Sequence, residues 1–264
     1  MDLKLKGKTA LITGGSQGIG LAVAEALAAE GVMLILSARH AAKLQKAKEQ
    51  LQAKYGVAVH THAADLSRAE DIEKLVESAL AAFDRIDILI NNAGTGTDET
   101  IENSRDEDWY YYWDLHVMAA IRLSRALLPH MRMHGGGVIL NNASICATQP
   151  LGYEPIYNTT KAALAMFGKC LAEEAIRHNI RVNTINPGLI RTEGWEKAGR
   201  EEEARGGASV DNFLEGIARK YAPIGRFASP EELAHFFVFL CSDLASYAVG
   251  SSFYVDGGWL RTVN

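Results

Sequence analysis

The sequence is poor in cysteine and has no pattern typical of a metal site. It has three cysteines in 264 residues, Cys146, Cys170 and Cys241, and none is half of a CxxC pair. This number and spacing favour neither a disulfide framework nor a zinc site, so we expect three free thiols. No group of histidines has a convincing ligand spacing either, and we predict no catalytic metal.

Long hydrophobic runs and blocks of positive charge are also missing. No stretch reaches the roughly eighteen apolar residues of a membrane span, and the first residues lack the apolar core of a signal peptide. The formal net charge is −5, which argues against a surface for nucleic acid. We therefore predict a cytoplasmic protein that binds neither membrane nor nucleic acid.

The chain instead shows a regular alternation of strand and helix patterns. Apolar segments of strand length alternate with amphipathic stretches, which predicts six or seven strands separated by helices. Because the strands are apolar throughout, we expect an α/β fold: a Rossmann-like, doubly wound parallel sheet flanked by helices on both faces. The strand segments are residues 8–13, 32–38, 57–63, 86–94, 137–144, 180–188 and 251–258.

Two helix starts are marked by capping boxes, in which a serine and a glutamate three residues later cap each other's backbone. The first pair is Ser67 and Glu70. The second is Ser229 and Glu232, with Pro230 at the first helical position. The helix after the second box is predicted to bury Leu233, Phe236, Phe237 and Leu240.

Residues 191–222 interrupt the alternation with a long polar insertion that contains two possible short helices. Insertions at the carboxyl ends of strands are where such folds bind ligands, so we predict a substrate lid here. No linker precedes the insertion, and α/β chains of this length often form one domain. We predict a single nucleotide-binding domain over residues 1–264, with the lid at about 191–222.

The segment TGGSQGIG, residues 13–20, follows the first strand and leads into a helix. Glycines let the backbone approach a pyrophosphate closely, and the amides at a helix start attract its negative charge. Tight turns also need glycine, so the cluster alone is weak. The strand, turn and helix around it favour nucleotide binding.

The end of the second strand bears on which nucleotide binds. A dinucleotide site usually has an acidic residue about twenty positions after the glycines, where it binds the ribose hydroxyls. This sequence has Ser37, Ala38, Arg39 and His40 there, without a carboxylate. Arg39 suits a 2′-phosphate and favours NADP. If Arg39 is only a solvated charge at a strand end, NAD is the alternative.

Tyr157 and Lys161 lie four residues apart near the start of a predicted helix. At helical pitch the two side chains share a face, so a phenol and an ammonium can act on one ligand. By itself, the pair is more typical of an ordinary helix surface. Other motifs must decide between these interpretations.

Several motifs in order resemble the short-chain dehydrogenase/reductase family over nearly the whole length. They are TGGSQGIG, INNAG at 90–94, Ser144, Tyr157 with Lys161, and NPG at 186–188. The segments PIGRFASPEELA and YVDGGW are similar to bacterial carbonyl reductases that include 3-oxoacyl-acyl-carrier-protein reductases. The resemblance implies an NAD(P)-dependent oxidoreductase that interconverts a ketone or aldehyde and an alcohol. It also implies a homotetramer or homodimer.

The resemblance further implies roles for single residues. Tyr157 is the general acid or base, Lys161 lowers its pKa and binds the nicotinamide ribose, and Ser144 holds the substrate oxygen. Asp65 is expected at the adenine, although it is equally interpretable as a residue at the start of a helix. The implied cofactor-binding residues are Gly14, Ser16, Gln17, Gly18, Ile19, Gly20, Arg39, Asp65, Leu66, Asn92, Tyr157, Lys161, Pro187, Gly188, Ile190 and Thr192.

Two positions depart from the family pattern. His116 stands where the family usually has an asparagine that helps to hold a water in the proton relay. Imidazole also donates and accepts hydrogen bonds, so we predict that His116 is a fourth catalytic residue that titrates near neutral pH. A buried, hydrogen-bonded histidine without a relay role is the alternative. Gln17 replaces a residue that is often basic in NADP-using relatives, which weakens the case for NADP.

The substrate is a small molecule whose identity the sequence leaves open. Sugars, acyl thioesters, steroids and small cyclic ketones are all compatible, as are both reaction directions. Two alternative functions remain: an NAD-dependent alcohol dehydrogenase, and a non-catalytic nucleotide sensor or scaffold. The presence of Ser144, Tyr157 and Lys161 argues against the sensor or scaffold. The pocket candidates are Ile145, Cys146, Gln149, Pro150, Leu151, Tyr153 and Glu154, with Trp195 and Phe213 from the lid.

Overall fold

Seven parallel strands form one sheet with helices on both faces, as the sequence predicted. The computed structural model describes residues 2–262; of the predicted domain, Met1 and residues 263–264 lie outside the described residues. The strands are β1 (Thr9–Thr13), β2 (Met33–Ala38), β3 (Val59–Ala63), β4 (Ile88–Asn91), β5 (Gly137–Asn142), β6 (Ile180–Pro187) and β7 (Ser252–Val255). The helices are α1 (Gly18–Ala29), α2 (Ala41–Tyr55), α3 (Ala69–Ala82), α4 (Asp106–Trp113), α5 (Ala119–Met133), α6 (Pro155–Ala175), α7 (Glu193–Ala204), α8 (Val210–Tyr221) and α9 (Pro230–Cys241).

The strand order is β3-β2-β1-β4-β5-β6-β7, with every pair parallel. The register places Leu11 of β1 beside Ile35 of β2 and Leu89 of β4. The chain winds outward in one direction from β1 to β3 and in the other from β4 onward. A sheet of this kind has a crevice at the carboxyl ends of its strands where the winding reverses, here between β1 and β4.

Both faces of the sheet are covered, which explains why the strands are apolar throughout. Alternate residues of β1 point to opposite faces, so Ile12 packs with α1 and α9 while Leu11 packs with α3 and α5. Burying apolar side chains on both faces stabilises the fold by roughly 25 cal/mol for each Å² removed from water. The two packed layers hold the strand ends rigidly, and loops at those ends carry the site.

The helix starts agree only partly with the sequence. The box of Ser229 and Glu232 is formed, with each side chain capping the other's backbone. The predicted box at Ser67 is wrong: α3 begins at Ala69, and the Ser67 hydroxyl donates instead to Asp65 at 2.8 Å. Phe236 was also predicted to be buried, but it is 47% exposed because it lies on the outer side of α9.

The insertion at 191–222 contains the two predicted short helices, α7 and α8, which pack against each other. Ser209 caps α8, and Leu214 and Ala218 are buried beneath it. Around Ala218 lies a small apolar cluster with Ile145 and Trp259. The insertion is therefore a packed element at the carboxyl end of β6, while its function as a lid stays a prediction.

All three cysteines are free, two of them buried and Cys170 exposed. Within residues 2–262, no three side chains of His, Cys, Asp or Glu are grouped so that they could hold a metal ion. In that same part of the chain, no helix is long and apolar enough to cross a membrane.

Candidate active site

A cleft of about 720 Å³ runs along the carboxyl ends of the central strands. Sixteen of the predicted site residues line it. Two do not: Asp65, which is half-buried, and His116, which is buried. The sixteen are Gly14, Ser16, Gln17, Gly18, Ile19, Gly20, Arg39, Leu66, Asn92, Ser144, Tyr157, Lys161, Pro187, Gly188, Ile190 and Thr192.

The glycine segment forms a tight turn between β1 and α1. Gln17 precedes the helix without capping it, and the first turn of α1 contains no acidic residue, so its amides remain available to an anion. A Cβ on Gly20 would lie 2.3 Å from the carbonyl oxygen of Gly14, so only glycine fits there. This cradle of close backbone and free amides fits the pyrophosphate of a dinucleotide.

Thr13 and two asparagines join the ends of three strands beneath this turn. The Thr13 hydroxyl accepts hydrogen bonds from the backbone N–H groups of Asn92 and Ala93 at 2.9 and 3.0 Å. The Asn92 amide donates to the Thr13 carbonyl, and Asn142 donates to Asn92, both at 2.8 Å. These bonds explain the threonine before the glycines and the second asparagine of INNAG, because they join the ends of β1, β4 and β5 at the cleft floor.

A pair of basic residues lies at the end of β2. Arg39 is exposed in the cleft, and one guanidinium nitrogen reaches the Tyr111 hydroxyl at 3.4 Å. Lys43, which the sequence analysis missed, lines the cleft as well and donates to the Gln17 side chain at 2.6 Å. The sequence did contain a signal for Lys43: it lies four residues after Arg39, in the first turn of α2, where its side chain can reach the same end of the cleft. Lys43 thus brings positive charge to the place where Gln17 lacks it.

Ser144, Tyr157 and Lys161 meet at the inner end of the cleft. Ser144 follows β5 and accepts a hydrogen bond from the backbone of Cys146 at 3.2 Å. Tyr157 lies in the first turn of α6, and the Lys161 nitrogen is 5.4 Å from the centre of its ring. Lys161 is 3% exposed and donates to the carbonyl of Asn142 at 2.8 Å. The helical spacing therefore places phenol and ammonium on one face, as predicted.

Desolvation sets the ionisation of this pair. Burial raises the pKa of the Tyr157 phenol well above its usual range, and the nearby Cys146 thiol adds to the effect. Burial also lowers the pKa of Lys161 to about 8. Burial therefore sets the direction of the Tyr157 shift in the structure, and the expectation that Lys161 lowers the pKa of Tyr157 stays a prediction. At neutral pH the phenol is protonated.

His116 lies in a π-helical turn, Asp114–Met118, between α4 and α5. It is 2% exposed, and its Nε2 accepts a hydrogen bond from the backbone N–H of Thr95 at 3.3 Å. The proton is therefore on Nδ1, which donates to the Thr160 hydroxyl at 2.9 Å. The imidazole thus joins the loop after β4 to the helix that carries Tyr157 and Lys161.

The structure corrects one expectation for His116. Burial, with a smaller contribution from the Lys161 charge, lowers the pKa of His116 to about 3. The imidazole is therefore neutral at physiological pH, and the prediction that it titrates near neutral pH is wrong. A buried, hydrogen-bonded histidine describes its state, while a function in the relay stays a prediction.

Asp65 follows β3 and begins the approach to α3. Its carboxylate accepts from the backbone and hydroxyl of Ser67, and its own N–H donates to Asp71. These bonds agree with the interpretation of a residue at a helix start. Contact with the adenine stays a prediction, as do the other assigned cofactor contacts.

The outer part of the cleft has mixed character. Cys146, Leu151, Tyr153 and Glu154 line it as predicted, whereas Gln149 and Pro150 do not. Burial raises the pKa of the Glu154 carboxyl to about 7, with further contributions from the charges of acidic neighbours. The cleft therefore offers a polar carboxyl group beside apolar walls.

The insertion at residues 191–222 completes this outer part. Trp195 of α7 lines the cleft, and Phe213 of α8 lines an adjoining cavity of about 440 Å³. Trp259 lies between the two spaces and was missed, because nothing in its local pattern separates it from a core residue. Aromatic side chains thus form the outer rim of the candidate substrate pocket.

Known proteins are similar to this chain over nearly its whole length. A family model described as Enoyl-(Acyl carrier protein) reductase matches residues 14–260. The 3-oxoacyl-(acyl-carrier-protein) reductase of Aquifex aeolicus is 34% identical over 261 residues, which cover 98% of this chain and 99% of the relative. Dehydrogenase/reductase SDR family member 4 of Oryctolagus cuniculus is 37% identical over 255 residues, 96% of this chain and 94% of the relative.

A solved structure is still more similar. L-Sorbose reductase from Gluconobacter frateurii, complexed with NADPH and L-sorbose, has 55% sequence identity and a TM-score of 0.98, and the match covers 100% of both chains. The chain described here is therefore an oxidoreductase that belongs to the short-chain dehydrogenase/reductase family.

Proposed function

We propose that the protein reduces the ketone of a polyhydroxylated substrate, a ketose, with NADPH, and that the reverse reaction oxidises the polyol. The observation that carries the proposal is the convergence of Ser144, Tyr157 and Lys161 with the carboxyl group of Glu154 on one cleft. A carboxyl group beside the reacting position suits a substrate with hydroxyls next to its carbonyl. The name of the sorbose reductase that is 55% identical supports the same class.

The cofactor supplies the hydride when bound, and the chain's own residues handle the proton. Tyr157 is the general acid for reduction: with its pKa raised by burial, the phenol holds its proton at neutral pH until a developing alkoxide draws it. Ser144 donates a hydrogen bond to the same oxygen and stabilises its negative charge. Lys161, with a pKa of about 8, is mostly an ammonium at pH 7 and stabilises the phenolate that forms.

The cradle and the basic pair support NADPH as the preferred cofactor. The turn at residues 13–20 would hold the pyrophosphate, and Arg39 with Lys43 would bind the 2′-phosphate. Gln17 carries no positive charge itself, but it accepts a hydrogen bond from Lys43 and so holds the Lys43 ammonium at this place in the cleft. The remaining predicted contacts, from Leu66 to Thr192, follow the same cleft.

The proposal is tested by following NADPH oxidation with a panel of carbonyl compounds. The panel contains L-sorbose, D-fructose, a 3-oxoacyl thioester and a small cyclic ketone. We expect kcat/KM for one ketose to exceed that for the thioester and cyclic ketone by at least about tenfold, because a pocket that binds hydroxyls rejects substrates without them. A clear preference for the thioester or the cyclic ketone would contradict the proposed substrate class.

We also propose that His116 acts in catalysis by positioning the loop and the helix that it joins. His116→Ala is expected to lower kcat by up to about 10²-fold, because it frees the Thr95 amide and the Thr160 hydroxyl and loosens the placement of Lys161. His116→Asn retains hydrogen-bonding groups and should restore part of the loss. The pH profile of kcat should show no new inflection above pH 5. Unchanged turnover in the alanine variant would rule out a function for His116.

We further propose a homotetramer. Tyr110, Trp113 and Met166 are exposed on α4 and α6, while Phe239 and Tyr247 are exposed on and after α9. These helices cover opposite faces of the sheet, so no single twofold contact can bury both groups. Two different twofold interfaces would produce a tetramer. Sedimentation equilibrium should give four subunits, and Met166→Glu should give two.

A further inference from the structure

A carboxylate from outside the cleft wall caps the helix that carries the reactive groups. The backbone N–H of Ile156, in the first turn of α6, donates to Glu99 Oε1 at 2.9 Å. Glu99 is 57 residues earlier in the chain, in the loop between β4 and α4. Ile156 immediately precedes Tyr157, so this bond acts on the turn that places the phenol.

The helix has no local side chain for this task. Glu154 occupies the position before α6, but its side chain makes no cap, and its backbone is left-handed with φ of 57°. A non-glycine residue in this conformation costs free energy and persists only where its surroundings hold it. Glu99 supplies the missing acceptor, and the Thr97 hydroxyl, itself buried, donates to the same oxygen at 3.2 Å. Glu99 Oε1 therefore accepts two hydrogen bonds, one from the Ile156 N–H and one from the Thr97 hydroxyl.

The same loop packs against the Glu154 carboxyl. A Cβ on Gly96 would lie 3.2 Å from Glu154 Oε1, so backbone and carboxyl are in close contact. Beyond burial, the charges of Glu99 and Asp98 oppose ionisation of Glu154. The other titratable groups around it are the Cys146 thiol and the phenols of Tyr153 and Tyr157 on the pocket side.

We propose that Glu99 is a positioning residue for the reaction: it fixes the first turn of the helix that carries Tyr157, and it places a second carboxyl group close to Glu154 at the substrate wall. The proposal rests on the proposed function, because it assigns Glu154 to the substrate's hydroxyl groups. A neutral carboxyl donates and accepts hydrogen bonds, whereas a carboxylate only accepts. Substrate affinity should therefore change at the pH where Glu154 ionises, and the charge of Glu99 adds to the effect of burial in raising that pH.

Two variants separate the two effects of Glu99. Glu99→Gln retains a side-chain oxygen for the Ile156 N–H but removes the negative charge. The midpoint at which KM changes with pH should fall by at least about half a pH unit, since a nearby like charge raises a carboxyl pKa. kcat should stay within about threefold. Glu99→Ala removes the cap as well and should lower kcat about tenfold, because the first turn of α6 shifts.

Glu102→Gln is the matched control, because Glu102 is an exposed carboxylate in the same loop. It should leave the KM midpoint and kcat as in the wild type. A Glu99→Gln variant with the wild-type midpoint would overturn the charge effect. If Glu99→Ala does not fold, Glu99→Gln still decides that question.

Hydrogen exchange tests the cap without substrate. The Ile156 amide should exchange at least about tenfold faster in Glu99→Ala than in the wild type, with Glu99→Gln between them and Glu102→Gln unchanged. Equal exchange in all four proteins would overturn the positioning effect. A wild type that reduces no ketose would contradict the proposed function alone, and this measurement would still decide whether Glu99 holds the helix.

Discussion

Changing Tyr157 to phenylalanine is expected to lower kcat for ketose reduction by about 10³-fold while leaving the affinity for NADPH within about twofold. A positioned general acid contributes roughly 10²- to 10⁴-fold, and phenylalanine removes the proton while retaining the ring. The ring stacks edge to face against His116 with centroids 5.7 Å apart, a contact that phenylalanine preserves. NADPH affinity is measured by quenching of tryptophan fluorescence, since Trp195 and Trp259 line the cleft.

Tyr254→Phe is the matched control for this experiment. Tyr254 shares a hydrogen bond of 2.7 Å with Thr148 but does not line the cleft, so the loss of its hydroxyl should leave kcat unchanged. Full activity in the Tyr157 variant would show that another group donates the proton. A wild type that binds NADPH and reduces no carbonyl compound would instead favour the non-catalytic sensor.

The parts of the molecule that the sequence predicted are those where local pattern and global fold agree. Leu11, Ile35 and Leu89 are apolar because helices cover both faces of the sheet, so runs without alternation predicted buried parallel strands. Gly20 is required by a backbone contact within its own turn. Tyr157 and Lys161 share a face through helical pitch alone. In each case a short stretch of chain determines the geometry.

The parts that the sequence did not predict depend on contacts between distant segments. Ser67 has the pattern of a cap, but the nearer Asp65 carboxylate takes its hydroxyl. Glu99 meets Ile156 across 57 residues, and no periodicity in either segment indicates that contact. The state of His116 depends on burial beside Lys161, which lowers its pKa to about 3 and cannot be deduced from residue type.

The position of Lys43 shows how one such contact changes a functional conclusion. From the sequence, Gln17 counted against NADP because relatives often carry a basic residue there. In the structure the Lys43 ammonium reaches Gln17 from the first turn of α2, at 2.6 Å. In this chain the basic side chain beside Gln17 is Lys43, which comes from α2 and lines the cleft together with Arg39. Cofactor preference must therefore be tested at both residues.

Arg39→Asp is expected to weaken NADPH binding by about 10²-fold and to leave NADH binding within about threefold. A hydrogen bond between charged groups contributes roughly 1.5 to 3 kcal/mol, and the introduced carboxylate repels the 2′-phosphate. Lys43→Gln removes one positive charge without adding a negative one, so its effect on NADPH should be smaller, about tenfold. Titration of each variant with NADPH and NADH, followed by tryptophan fluorescence, measures both affinities.

Lys46→Gln controls for the general charge of the helix, because Lys46 is an exposed lysine of α2 outside the cleft. It should leave the ratio of the two affinities unchanged. Raising the salt concentration should reduce NADPH affinity more than NADH affinity in the wild type and should lose this difference in Arg39→Asp, since exposed charges are screened. If the wild type binds NADH as tightly as NADPH, Arg39 is a solvated charge at a strand end. The NAD-dependent alternative then replaces NADPH in the proposed reaction, while the assignments of Ser144, Tyr157 and Lys161 remain the same.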